Sequence, residues 1–136
     1  MSADRTFALW VTPEGVWSQA ALDAGTSSYD LIKRGIGSRN WFDHVNVDAA
    51  FCRDFGHTID FWVDDEGLLK ELPVNFAAWT LDGRQLVGPI VITGGADAEG
   101  ETLGLKASAV AALRALLRLD PKREQLWPTG DEEMFG

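Results

Sequence analysis

The chain has few of the residues that carry most recognisable chemistry. Cys52 is its only cysteine, and His44 and His57 are its only histidines. One cysteine excludes an intramolecular disulfide and, with it, a disulfide-stapled scaffold, so a reducing, cytoplasmic compartment is expected. The spacing His-x7-Cys-x4-His lacks the ligand pairs, roughly two to four residues apart, that zinc sites use; no metal and no other cofactor is expected. No run of about 18 apolar residues occurs, so the sequence offers no membrane helix. Met1-Ser2-Ala3-Asp4-Arg5 leads into a strand-like run without a signal-peptide pattern, and a soluble, non-exported protein is expected. The glycines of Gly94-Gly95-Ala96-Asp97-Ala98-Glu99-Gly100 lack the Lys and the following helix of a phosphate loop. Positive charge is also scarce. Twelve Lys and Arg stand against 21 Asp and Glu, a net charge of -9. That balance argues against a general affinity for nucleic acid or an anionic membrane, and the expected partner is a protein with a basic surface.

What is present is a folding chain. With 46% hydrophobic residues, 24% charged residues and six tryptophans, its 136 residues suffice for one domain with a sizeable core. Thr6–Val11 alternates with the period of a strand, Thr12-Pro13-Glu14-Gly15 reads as a turn, and a second strand over about Val16–Leu22 completes a hairpin. Trp41–Val47 and Thr58–Val63 read as further strands, as do Phe76–Leu81 and Leu86–Thr93. Asp82-Gly83 is then expected to be a tight hairpin turn, and Leu68–Leu72 to pair back after the turn at Gly67. Pro89 suggests an edge position or a bulge for its strand, and Glu101–Leu103 a last short strand. Ser27 or Ser28 caps a short helix, Tyr29–Arg34, ended by Gly35; Ala107–Leu119 is the clearest helix, with Val110, Leu113 and Leu117 on one stripe.

These elements add up to an α+β single domain over residues 1–121. It is a twisted antiparallel sheet of five to seven strands with the C-terminal helix packed on one face and a short helix near residue 30. Residues 122–136 read as an extended, partly mobile tail, with Leu126-Trp127-Pro128 pinned on the body.

The run Glu66-Gly67-Leu68-Leu69-Lys70-Glu71-Leu72-Pro73-Val74-Asn75, followed by Val87-Gly88-Pro89-Ile90-Val91-Ile92 and by Gly100-Glu101 before an apolar helix, resembles the domain-of-unknown-function family 3846. That family is found in bacteriophages and other mobile elements, mainly of Gram-positive hosts. The resemblance spans about Thr6–Leu117 and implies a phage or mobile-element origin and a host-cell interior, but no activity. Where the family places a Thr or Ser cap before the final helix, this chain has Lys106.

The charge layout supplies the functional expectation. Gly56–Leu105 holds nine acidic residues against Lys70 and Arg84, a net of -7, whereas 1–55 nets -2 and 106–136 nets zero. In Thr58–Val63, Ile59, Phe61 and Val63 share one side, and Asp60, Trp62 and Asp64 the other. Asp60, Trp62, Asp64, Asp65 and Glu66 are therefore the expected binding residues, an acidic outer face with an exposed aromatic that takes a basic protein, by mimicry of a nucleic-acid backbone or in host takeover. A solvated acidic surface that only maintains solubility is the plain alternative. A small enzyme built from His44, Asp43, Asp60 or Cys52 is a second reading, since a thiolate with a histidine, or a carboxylate pair, supplies nucleophile, acid or base. A homo-oligomeric module joined through the Pro89 strand or Trp62 is a third. The acidic and apolar cluster Asp131–Phe135 is a further docking candidate.

Overall fold

The computed structural model describes residues 5–22, 27–37, 42–48, 52–53, 56, 58–68 and 70–129. His57, Trp41 and the Asp131–Phe135 cluster lie outside the described residues. The elements run β1 (Thr6–Val11), β2 (Trp17–Ala21), α1 (Ser28–Ile36), β3 (Phe42–Val47), β4 (Ile59–Asp64), α2 (Phe76–Asp82), β5 (Ile90–Gly94), β6 (Leu105–Lys106) and α3 (Ala107–Leu116). The strands form one six-stranded antiparallel sheet in the order β2-β1-β5-β4-β3, with β6 pairing β1 beyond the end of β5. This is an α+β fold of the expected class, a single antiparallel sheet with helices on it.

Helices cover both faces. On one side Leu9, Val11, Trp17, Ile59, Phe61, Ile90 and Ile92 meet Ala77, Ala78 and Leu81 of α2 and Ala109, Val110 and Leu113 of α3. On the other, Ala8, Trp10 and Val91 meet Leu31, Ile32 and Ile36 of α1. Helix α1 comes so close that a Cβ at Gly35 would sit 2.6 Å from Val91 Cγ2, so Gly35 is an interior helix residue selected for contact rather than a stop. The stop is Gly37, left-handed at φ 74°, and Ser27 caps the start by accepting from Asp30 N–H at 3.2 Å.

Other expectations fail as well. Phe76–Leu81 is the helix α2, not a strand. Asn75 accepts from Ala77 N–H at 2.9 Å as its N-cap, and Gly83 (φ 70°) is its left-handed end rather than half of a hairpin turn. Asn75 is fully buried, and its amide also donates to Val11 O and Gly88 O, both at 2.9 Å, which ties the helix start to the sheet. Leu68 and Lys70–Leu72 do not pair back; residues 65–68 and 70–71 are turns, and among the described residues of this stretch Val74 alone makes a bridge, to Val87. The Pro89 strand is not at an edge. Pro89 immediately precedes β5, where it costs no ladder bond, and β5 lies between β1 and β4 at the sheet's centre.

The segment after α3 returns across the sheet. Trp17, fully buried, donates its indole N–H to Asp120 O at 2.7 Å and lies 4.4 Å beneath the Arg114 guanidinium. Gln125 N–H donates to Trp17 O at 2.8 Å, and Trp127 donates to Leu31 O at 2.9 Å on α1. The chain is thus strapped over the β2 edge from one face to the other. No helix among the described residues is long and apolar enough to cross a membrane.

Candidate functional site

The sheet has two edges, β2 and β3, and they differ in composition. Strand β3, Phe-Asp-His-Val-Asn-Val, exposes Asp43, His44 and Asn46 and half-buries Phe42 and Val45. Exposed charged and polar residues are a usual way of blunting a sheet edge.

The hydrogen-bond parity across the sheet fixes which way β3 points its backbone. Gly95 N–H donates to Thr58 O at 3.0 Å, so the even-numbered residues of β4 bond toward β5. Its odd-numbered residues then bond toward β3, and their register partners there are Val47, Val45 and Asp43. Phe42, His44 and Asn46 are left with N–H and C=O groups directed to the outer edge, where no described residue pairs with them in the backbone. One detail agrees independently: His44 N–H donates to the Asp43 carboxylate at 2.8 Å, a local bond that a donor engaged in the ladder would not make.

Beside this edge, on the α2 face, opens a groove of about 190 Å³. Val45, Val63, Leu86 and Val87 give it apolar walls, Leu68 and Gln85 stand at its margin, and Asp43, Asp64 and Asp65 supply carboxylates. Asp64 is neutralised by Lys70, with Nζ 2.6 Å from Oδ2, and its other oxygen accepts from Glu66 N–H at 2.8 Å. Neither Asp43 nor Asp65 has an ion-pair partner among the described residues. The groove is thus apolar inside, with two negative charges on its rim that no described residue pairs.

The expected acidic face of Asp60, Trp62 and Asp64 is not an outer surface. Helix α1 lies over that side of the sheet's centre. Asp60, 3% exposed, accepts from Asn46 Nδ2 at 2.7 Å. Asp64, 6% exposed, holds the following turn as described. Trp62 is half-buried, donates its indole N–H to Thr93 Oγ1 at 2.9 Å, and packs its ring against Phe42 (5.8 Å between centroids) and His44 (4.7 Å). With Tyr29, 5.3 Å from Phe42, these rings form a ledge on the opposite side of β3 from the groove. Asp65 is exposed at the groove rim and Glu66 half-buried beside it. Of the five expected residues, Asp64 and Asp65 thus line the groove, while Asp60 and Trp62 lie on the opposite side of the sheet.

The residues of the enzymatic reading are not gathered. Cys52 is buried in the α2-face core with its Sγ 3.4 Å from Val47 O, whereas His44 stacks on Trp62 across the sheet. Asp43 and Asp60 lie on opposite sides of the sheet, as their alternation on paired strands requires. No group of three or more His, Cys, Asp or Glu among the described residues is arranged to hold a metal ion. A larger hollow, about 520 Å³, lies between the end of α1 and residues 125–129. Its two indoles, Trp10 and Trp127, spend their N–H groups on Gly35 O and Leu31 O, and Arg34, Gln125 and Thr129 are its other polar side chains.

Reading the sequence alone missed Val45, Val63, Leu86 and Val87, and took Asp43 only as a catalytic carboxylate. The signal within reach was the polar composition of β3, which marks an edge; the groove walls come from three separate segments and carry no local pattern.

A family described as a domain of unknown function, DUF3846, has a model that matches residues 43–118. The match takes in β3 from Asp43 onward, β4, α2, β5, β6 and α3, and with them every residue of the groove. No curated protein and no solved structure matches the chain.

Proposed function

The chain belongs to the family of domain of unknown function 3846, and from that premise we propose that it acts by binding: a small acidic accessory protein of bacteriophage or mobile-element type, working inside the host cell, whose partner is a protein with a basic surface. The observation that carries this reading is the apolar groove beside the outer β3 edge, with Asp43 and Asp65 on its rim and no ion-pair partner for either among the described residues. An Arg or Lys side chain suits such a groove, laying its apolar stem along Val45 and Val63 and its charge between the two carboxylates. The net charge of -9 steers a basic partner toward the protein and repels nucleic acid.

The test is affinity capture from bacterial lysate by the wild-type protein and by Asp43→Lys/Asp65→Lys, at low and at high salt. A specific partner should be held by the wild type, released as ionic strength rises through the range where the Debye length falls from about 10 Å to about 3 Å, and lost by the double variant. Asp60 and Asp64 are unsuitable for the test because reversing a buried carboxylate unfolds rather than unbinds. Capture that is equal in the two proteins and indifferent to salt would remove the acidic groove as the binding site.

A further inference from the structure

We propose that the partner docks as an extended segment that adds a strand to the free edge of β3, with basic side chains at alternate positions over the groove. This rests on the binding reading above and specifies its geometry.

Strand addition needs a row of outward backbone groups, and β3 has one. Phe42, His44 and Asn46 direct N–H and C=O away from β4, and no described residue pairs with them in the backbone. The usable edge spans residues 42–46, about 17 Å at the usual strand rise. A segment laid there alternates its side chains between the two sides of the sheet. On one side they reach the groove, with Asp43, Asp65 and the Val45–Val63 walls; on the other they reach the ledge of Phe42, His44 and Trp62. The pattern this selects is basic, apolar, basic, apolar.

The Asp43 side chain couples the two halves of recognition. In the free protein its carboxylate accepts the outward N–H of His44, which blunts the edge against indiscriminate pairing. A partner carbonyl arriving opposite His44 takes over that N–H and releases the Asp43 carboxylate to the partner's basic side chain. A segment without basic residues leaves Asp43 without a counter-charge, and a second copy of β3 brings two acidic grooves together. Charge therefore favours a basic segment over self-pairing.

The experiment is selection of random ten-residue peptides displayed against the full chain, followed by residue-resolved hydrogen exchange with a selected synthetic peptide. Selected sequences should carry Arg or Lys at alternate positions. The peptide should slow exchange at Phe42, His44 and Asn46 at least tenfold, and its affinity should fall at least tenfold in Asp43→Lys. His44→Pro, which removes one outward N–H at a position where an edge tolerates proline, should abolish binding; if that variant does not fold, the exchange pattern decides. Basic peptides that bind in an Asp43-dependent way but leave those three amides unprotected would overturn strand addition and leave the binding reading standing. A selection without basic enrichment would overturn both. Concentration-dependent dimerisation that protects the same amides without peptide would assign the edge to a second copy and overturn the proposal.

Discussion

The two ends of the sheet are built from similar hairpin-length strands and finished in opposite ways. At β2 the outward carbonyl of Trp17 is taken by Gln125, Glu124 bridges alongside, and the Trp17 ring is enclosed by Asp120 and Arg114. The side chains of β2 are buried or half-buried throughout. At β3 no described residue straps the outward groups; Asp43 tends one of them locally, and Asp43, His44 and Asn46 face solvent. Where the strap covers it, at Trp17, the β2 edge contributes to stability, whereas the β3 edge is only blunted and stays available for pairing. Substitutions at β2 should therefore unfold the protein, and substitutions at β3 should change what it binds.

The sharpest break of this contrast is Trp17→Ala. It deletes a fully buried indole and the anchor of the strap, and thermal or urea unfolding should show a loss of about 3 to 5 kcal/mol. Asp64→Ala comes next. It strips Glu66 N–H of its acceptor and Lys70 of its partner, and the turn that shapes the groove should lose about 2 kcal/mol, read in the same unfolding experiment. Gln125→Pro removes a single strap bond to Trp17 O and should cost about 1 kcal/mol. Asp43→Ala is the smallest. Its stability should stay within about 0.5 kcal/mol of wild type, because the residue is exposed and away from the core. Its effect should appear instead as faster exchange of the His44 amide and, in light scattering, as a greater tendency to self-associate.

How much of this was legible depended on whether the deciding signal was local. The period-two runs of β1 and β4 and the apolar stripe of α3 announced themselves, as did Ser27 ahead of α1. Asp82-Gly83 was ambiguous because an acidic residue before glycine serves a tight hairpin turn and a left-handed helix end equally well. Asn75, seven residues earlier, was the cue that favoured the helix. Pro89 argued for an edge only so long as the strand was thought to begin before it. Asp60 and Asp64 looked like a solvated face because alternation reports two sides of a strand and not what lies above each. The folded chain lays α1 over one side, closes Asn46 onto Asp60, and gives Asp64 to Lys70. The groove was beyond reach for a similar reason: Val45, Val63, Leu86 and Val87 become neighbours only when β3, β4 and the approach to β5 are brought together.

Amide hydrogen exchange along β3 in the free protein, resolved residue by residue, tests the difference between the edges most directly. Alternation is expected: slow exchange at Asp43 and Val45, which bond to β4, fast exchange at Phe42 and Asn46, and an intermediate rate at His44 that rises to theirs in Asp43→Ala. Uniformly slow exchange over residues 42–46 would mean that the edge is already occupied, and would contradict the assignment of β3 as the open side of the sheet.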